Sequence, residues 1–284
     1  MKFDCIVSNP PYQVPQKAKG KRGSGNILWD EFVFLSLDLI KEGGYIGMIH
    51  PTSWRKPQSK RSKSNRIQDV LFKSNMIYLE MHSLNDGLRH FKSKTRYDMY
   101  ILQKSLKSGS TLVQDENKNK FELDIEKYPF IPNFNLDLMD KVLAKEDEEK
   151  CEIMFSTSKY ETRTRWMCET ESKEFCYPCI HAINKDGIKF WYSKRNDRGY
   201  FGVPKVIISE TNWINDVLID FKGEYGMTQG VMGLKISSLE EGEKIRDFLL
   251  SDKGRDLIDS CSWGTYRIDW RMFKFMRRDF WRHL

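Results

Sequence analysis

At 284 residues the chain is long enough for one large domain or two smaller ones with an ample core. Its balance of 39% hydrophobic and 31% charged residues, without an apolar run of about eighteen, excludes a transmembrane helix. The charges at Lys2 and Asp4 flank too short an apolar run for a signal peptide, so none is expected. A net charge of +7, from 47 basic against 40 acidic residues, suits a polyanionic partner without requiring one. Six scattered cysteines fit a reduced compartment, so a non-secreted, intracellular protein is expected.

The chain opens on Phe3-Asp4-Cys5-Ile6-Val7, an apolar run suited to a strand buried on both faces of a parallel sheet. Asn9-Pro10-Pro11-Tyr12 follows. Two prolines stop the strand, and Pro10 biases Asn9 toward an extended backbone. The predicted product is a stiff loop at the carboxyl end of a strand, where open α/β sheets bind ligands. The Asn9 carbonyl groups and the flat Tyr12 ring suit an amino group on a planar base. A proline-rich turn would use the same four residues. The strand before them and the text after them favour the functional reading.

This segment resembles the Asn-Pro-Pro-Tyr motif of S-adenosylmethionine-dependent amino-methyltransferases, above all the N6-adenine DNA methyltransferases of restriction–modification systems. Ile49-His50-Pro51-Thr52-Ser53-Trp54-Arg55 also looks like the corresponding stretch of those enzymes. The resemblance implies a transferred methyl group, an extruded adenine, and double-stranded DNA as partner. By it Asn9 and the Pro10 carbonyl accept the amine hydrogens, and Tyr12 stacks on the base.

Lys17, Lys19, Lys21 and Arg22 interleave with glycines and serine as a basic loop, either solvated, a phosphate contact or a closing lid. A helix is predicted from Ile27 to Lys41, ended by Gly43-Gly44, with a buried strand from Tyr45 to Ile49. That βαβ unit places Pro51-Thr52-Ser53-Trp54-Arg55 at the same sheet edge as Asn9. Six basic residues between Arg55 and Arg66, with Arg55 and Lys56 nearest the site, are read as DNA-backbone contacts, a solvated face being the alternative. A short helix over Ile67–Lys73 and strands over 76–81 and 97–102 follow, the last with an antiparallel partner. In the family resembled, a phenylalanine at about the place of Phe91 stacks on the extruded adenine. A core or hinge aromatic is the alternative.

From about residue 106 the pattern changes. Lys107–Lys127 reads as a surface hairpin, Asn135–Ala144 as an amphipathic helix, 151–225 as short strands and turns. Ser238 opens a capping-box helix running to about Ser251. Cys168, Cys176, Cys179 and His181 have only one short-spaced pair among them, and a strand through 177–181 alternates its side chains, so no metal is expected. Tyr266–His283 mixes six basic residues with aromatics, as a terminal amphipathic helix with aromatics inward and some arginines toward DNA.

The expected fold class is α/β. The expected organisation is the C-terminal part of a Rossmann-like methyltransferase sheet over 1–105, then an α+β target-recognition domain over 106–284. The family resembled places a cofactor-binding half before the motif, with a Gly-rich turn and a ribose-binding acid. Gly226–Gly233 has glycines but no buried strand leading into it. The cofactor half is therefore expected on a missing segment or a second chain, and the strand edge at Phe3–Val7 is expected to need a cover. Two alternatives stand beside this: a non-catalytic DNA-binding specificity subunit, and a methyltransferase of protein or RNA.

Overall fold

The structure, a computed structural model, describes residues 2–14, 27–58, 63–155, 160–211 and 213–283. The basic loop at Lys17–Arg22 and residues Lys60 and Arg61 lie outside them. The chain divides into two compact units, residues 1–134 with 263–265, and residues 135–262 with 266–284.

The first unit is built on a six-stranded sheet. Strand β1 (Phe3–Ser8) runs into the proline loop, and helix α1 (Trp29–Leu39) returns the chain to β2 (Ile40–Pro51), parallel to β1. Trp29, Val33 and Ser36 are the buried residues of α1, an i, i+4, i+7 stripe. The predicted Gly43-Gly44 stop is displaced. The helix ends at Leu39, where Ile40 takes an extended backbone, and both glycines lie inside β2. Gly44 is held there by close approach, since a Cβ would stand 2.9 Å from the Asp4 carbonyl oxygen.

Helix α2 (Lys63–Lys73) leads to β3 (Asn75–His82), α3 (Leu84–Phe91) and β4 (Tyr97–Gln103). Strand β4 inserts between β2 and β3, antiparallel to both. The hairpin predicted over 107–127 forms as β5 (Thr111–Gln114) and β6 (Lys120–Leu123), but it extends this sheet, with β5 parallel to β3. The order is β1-β2-β4-β3-β5-β6. The first unit thus runs on to residue 134, beyond the 105 expected from the change in sequence pattern.

One face of this sheet is core. Ile46, Met48 and His50 of β2, Tyr100 and Leu102 of β4, and Leu79 and Met81 of β3 are buried. Both crossover helices reach this face: Trp29 of α1 stacks on His50, and Phe72 of α2 meets Trp54, which packs edge-on to Tyr100. The expectation of a doubly buried β1 is overturned. It is an edge strand, and Val7 is 82% exposed.

The second unit contains helix α4 (Leu136–Val142) and two four-stranded sheets. β7 (Ile153–Phe155), β11 (Lys205–Ser209), β12 (Leu218–Asp220) and β14 (Val231–Lys235) form one, in the order β12-β11-β14-β7. β8 (Met167–Cys168), β9 (Tyr177–Asn184), β10 (Gly187–Ser193) and β13 (Gly226–Met227) form the other, in the order β13-β9-β10-β8. Ile180, Ile183, Ile207, Met227 and Val231 fill the core here. Helix α5 (Leu239–Leu250) begins where the capping pattern predicts, with Ser238 Oγ accepting from the Glu241 amide, and α6 (Asp252–Ser260) follows it.

Candidate functional site

The parallel β1–β2 pair aligns Ser8 with Met48, so the loops leaving both strands emerge at one edge of the sheet. At the end of β1, Asn9 is exposed and Pro10 buried. The Tyr12 carbonyl accepts from the Leu28 amide, and Gln13 bridges Ile27, which closes the intervening loop at its base. Among the described residues the buried Tyr12 hydroxyl has no hydrogen-bond partner, and burial raises its pKa. A buried, unpartnered hydroxyl costs roughly 1–3 kcal/mol, which a ligand or water at this spot would recover.

Beside β2 the same edge is arranged otherwise. Arg55, expected on DNA, is fully buried. Its Nε donates to Asp98 Oδ2 at 2.8 Å, and its terminal nitrogens donate to the Ile131 and Pro132 carbonyls and Asn133 Oδ1. Trp54 Nε1 donates to the same Asp98 oxygen at 2.8 Å. A guanidinium so enclosed has no face left for phosphate, and Arg55 is withdrawn as a DNA contact. Lys56 is half-buried, and its carbonyl accepts from Gln58 and Gln68. His50 is buried as the neutral ring, with Nδ1 donating to the Pro51 carbonyl and Nε2 accepting from the Tyr100 hydroxyl. Burial pulls its pKa down to about 3.

Phe91 lies at the last position of α3, half-buried. The helix is short but firmly closed. Ser83 and Asp86 form a reciprocal capping box, and Lys92 ends the helix at φ 57°. Gly87 is required because a Cβ there would sit 2.0 Å from the Thr95 carbonyl oxygen of the returning turn. The Phe91 ring meets Tyr97 edge-on at 4.8 Å. Tyr97 stacks flat on His82 at 4.3 Å and bonds His90 Nδ1 at 2.6 Å through its hydroxyl. Burial, with the charges of Asp86 and Glu80 and the nearby Tyr12 phenol, pushes Tyr97 up to about 12. Tyr12 is thus near enough to Tyr97 to contribute to that rise. The cluster of His82, His90 and Tyr97 was missed in sequence. Its only signal there is the aromatic and histidine content of 82–97.

The C-terminal segment forms no α-helix. Trp270–Phe275 and Phe280–Arg282 are 3-10 turns, with Met272, Phe273 and Phe280 buried. Most aromatics point inward, and of the basic residues Arg267, Lys274 and Arg282 are exposed while three others are committed. Arg271 pairs with Asp269, Arg277 with Glu148, and Arg278 with Glu149 and Glu241. Arg277 and Arg278 line a cleft of about 510 Å³ together with Glu148, Glu149 and Glu241. Cys179 is buried, and burial pushes it up to about 12; His181 bonds the Thr228 hydroxyl. Among the described residues no group of three or more His, Cys, Asp or Glu could hold a metal ion. Likewise no described helix is long and apolar enough to cross a membrane.

Residues 1–85 match the family model of the Eco57I restriction-modification methylase. An uncharacterised adenine-specific methylase of Mycoplasma pneumoniae is 27% identical over 135 residues, 43% of this chain and 31% of that protein. The type II restriction enzyme and methyltransferase RM.Eco57I of Escherichia coli is 25% identical over 174 residues, 55% of this chain and 17% of that protein. This chain therefore spans less than a third of either relative. Among solved structures, the type IIL restriction–modification enzyme MmeI in complex with DNA superposes with a TM-score of 0.50 at 9% identity, over 96% of this chain and 45% of that one, a likeness of fold. The motif-bearing residues 1–85 are thus similar to restriction-modification adenine methylases of the Eco57I type.

Proposed function

We propose that this chain is the catalytic-motif and target-recognition part of a site-specific adenine-N6 DNA methyltransferase, with the cofactor half supplied by another segment or chain. The observation that carries the reading is the pairing at one sheet edge of an exposed Asn9 with a half-buried Tyr12 whose hydroxyl is unpartnered. Phe91 lies in the aromatic group that Tyr12 approaches electrostatically. The Asn9 amide oxygen and the Pro10 carbonyl accept the two hydrogens of an adenine amine, and the lone pair so enriched is the attacking group. Tyr12 and Phe91 hold the extruded base between them, excluding water from the amine. Bound S-adenosylmethionine supplies the methyl group.

In this reading the described residues supply the amine side of the reaction. Gly226–Gly233, the remaining glycine-rich text, is taken up in β13 and β14, with Gly230 against the His181 carbonyl and Gly233 against Met227. Duplex DNA is the partner assigned to the second unit and to Lys56. Target recognition is proposed from that unit's distinct fold and from the similarity of residues 1–85 to restriction-modification methylases.

The test is reconstitution. Methyl incorporation into duplex DNA is expected only when the cofactor half is restored. In that complex Asn9→Ala should lower turnover on the order of a hundredfold or more, because a preorganised acceptor at the developing charge is lost. DNA affinity and melting temperature should stay unchanged, since Asn9 is exposed. Normal turnover of Asn9→Ala would reduce the motif to a turn. Binding of DNA without methylation, even in the reconstituted complex, would identify a specificity subunit.

A further inference from the structure

Arg277 and Arg278 are neutralised by glutamates, but a second group of arginines in the same unit is not. It lies where the chain enters β8 and leaves β10. Ser193 of β10 pairs in register with Met167 of β8, which brings residues 160–166 beside residues 194–199. Three hydrogen bonds lock the two loops together. The Lys194 amide donates to the Trp166 carbonyl at 3.0 Å, the Tyr160 hydroxyl donates to the Arg195 carbonyl at 3.1 Å, and the Arg198 amide donates to that hydroxyl at 3.2 Å. Tyr160 is buried on Met167 and Cys179, and Trp166 packs against the same cluster. Gly199, at φ 79°, lies close on the Tyr160 ring, where a Cβ would come within 2.9 Å. The loops are therefore held from below, and their polar side chains start from a fixed base.

A pocket of about 260 Å³ opens here, lined by Tyr160, Trp166, Arg195 and Arg198. Its walls are an indole and a phenol ring with two guanidinium groups. The Arg195 guanidinium stands 5.6 Å from the centre of the Trp166 ring and is held by Asp197. Arg198 reaches that carboxylate only at 3.9 Å, through Nε, and its side chain is 55% exposed. Arg163 and Arg165 are exposed on the other loop, and among the described residues neither has a carboxylate partner. Over the two loops five basic residues stand against two acids, Glu161 and Asp197.

An aromatic wall among cations is the chemistry that holds an unstacked nucleotide, since the base lies on the ring and the phosphates meet arginine. The volume suits one planar base, being below the ~300 Å³ at which drug-sized pockets begin. A base inside a duplex has both faces covered by its neighbours and cannot use such a wall. We propose that this pocket takes one unstacked nucleotide of a DNA strand, with its base against Trp166, its phosphate on Arg198, and the adjoining phosphates on Arg163 and Arg165. Stacking on a ring tolerates any base, so this site reads no amine and differs in kind from the Asn9 loop. The proposal rests on the proposed function only in taking the strand to be DNA.

The probe is a short, labelled oligothymidylate, because thymine carries no exocyclic amine for the Asn9 loop to accept. Its binding to the full chain is followed by fluorescence anisotropy at rising salt. Arg163→Gln together with Arg165→Gln should lower the slope of log affinity against log salt by about 1.4, the value for two phosphates of a single strand. The melting temperature of that variant should be unchanged, since both side chains are exposed. Arg278→Gln, at an arginine already held by Glu149 and Glu241, is the control and should leave the slope unaltered. Trp166→Ala should weaken binding on the order of tenfold, the size of one base–aromatic stack, and Trp166→Phe, which keeps a ring, should restore most of it. A fully paired duplex should be nearly indifferent to Trp166→Ala.

An unchanged salt slope in the double arginine variant overturns the proposal. So do equal losses from Trp166→Ala on oligothymidylate and on paired duplex, which would make the ring scaffold. Polyglutamate that competes as well as unlabelled oligothymidylate overturns it too, since the loops would then hold any polyanion, an acidic protein included. Failure of the functional reading looks different. Trp166-dependent binding in a reconstituted complex that transfers no methyl group keeps this pocket and removes the methyltransferase. Adenine methylation by a chain whose binding ignores the arginine and tryptophan substitutions does the reverse.

Discussion

The ends of β1 and β2 lie side by side, and sequence reading gave both a functional role, yet their polar groups are treated in opposite ways. After β2, Trp54, Arg55 and His50 are buried and their side-chain donors are satisfied within the protein. After β1, Asn9 is exposed and the Tyr12 hydroxyl is left without a partner. A polar group answered from inside holds the fold, whereas a buried one left unanswered calls for an explanation such as a ligand or water. The contrast marks the loop after β2 as scaffold, and the loop after β1 is the one to which we assign the proposed chemistry, although both carry motif text.

The largest effect that would break this comparison belongs to Arg55. Arg55→Ala should destabilise the chain by about 3–5 kcal/mol, since it strands the buried Asp98 carboxylate and three loop acceptors. Denaturant unfolding measures it. A variant that keeps its midpoint and instead loses DNA affinity would return Arg55 to the interface.

His50 sharpens the comparison through pH. Its folded pKa is lowered to about 3, below the ordinary 6.5, so the unfolded chain binds a proton more readily than the folded one. Its contribution is constant above pH 6.5 and declines as pH falls from there to about 3, at roughly 1.4 kcal/mol per pH unit. About 3 kcal/mol should be gone by pH 4.5. Urea midpoints from pH 7 to 4.5 should fall, and those of His50→Phe should fall less. Parallel curves for the two proteins would mean His50 is not held neutral.

Tyr12 probes the other loop. Tyr12→Ala should weaken binding of a duplex with a mismatched or extruded adenine by about 1–3 kcal/mol, the size of one base–aromatic stack. Plain duplex should bind nearly as before, and a fluorescent base at the target position reports the difference. Equal losses on both duplexes would make Tyr12 scaffold as well.

The smallest effect is expected where the sequence looks most like a DNA-binding face. Arg278 is shared between Glu149 and Glu241. Arg278→Gln should therefore leave the slope of DNA affinity against salt nearly unaltered, where loss of a phosphate contact would lower it by about one. A drop of that size would show that the arginine leaves its carboxylates for the nucleic acid.

What could be read in advance follows a physical rule. Strands β1 to β4, α1, the motif loop and the start of α5 are legible because local pattern sets them: periodicity, proline stops and a capping serine act over a few residues. The extent of the first unit was not legible, because Thr111–Leu123 join the sheet through pairing with β3, more than thirty residues away. The Gly43-Gly44 stop failed because close approach to β1, not helix termination, is what requires Gly44.

By itself the sequence determined the likeness of its first 85 residues to restriction-modification methylases, the place of Asn9-Pro10-Pro11-Tyr12 at a strand end, and the residue types available for an amine and a base, since these are properties of contiguous text. The tertiary structure alone decided which cations are free and which faces are covered. Arg55 and Arg278 look like phosphate ligands until Asp98, Glu149 and Glu241 arrive from distant segments to neutralise them. Val7 looks like core until its strand is found at the sheet edge with one face bare. Charge and burial are set by neighbours in space, and a single sequence does not list them.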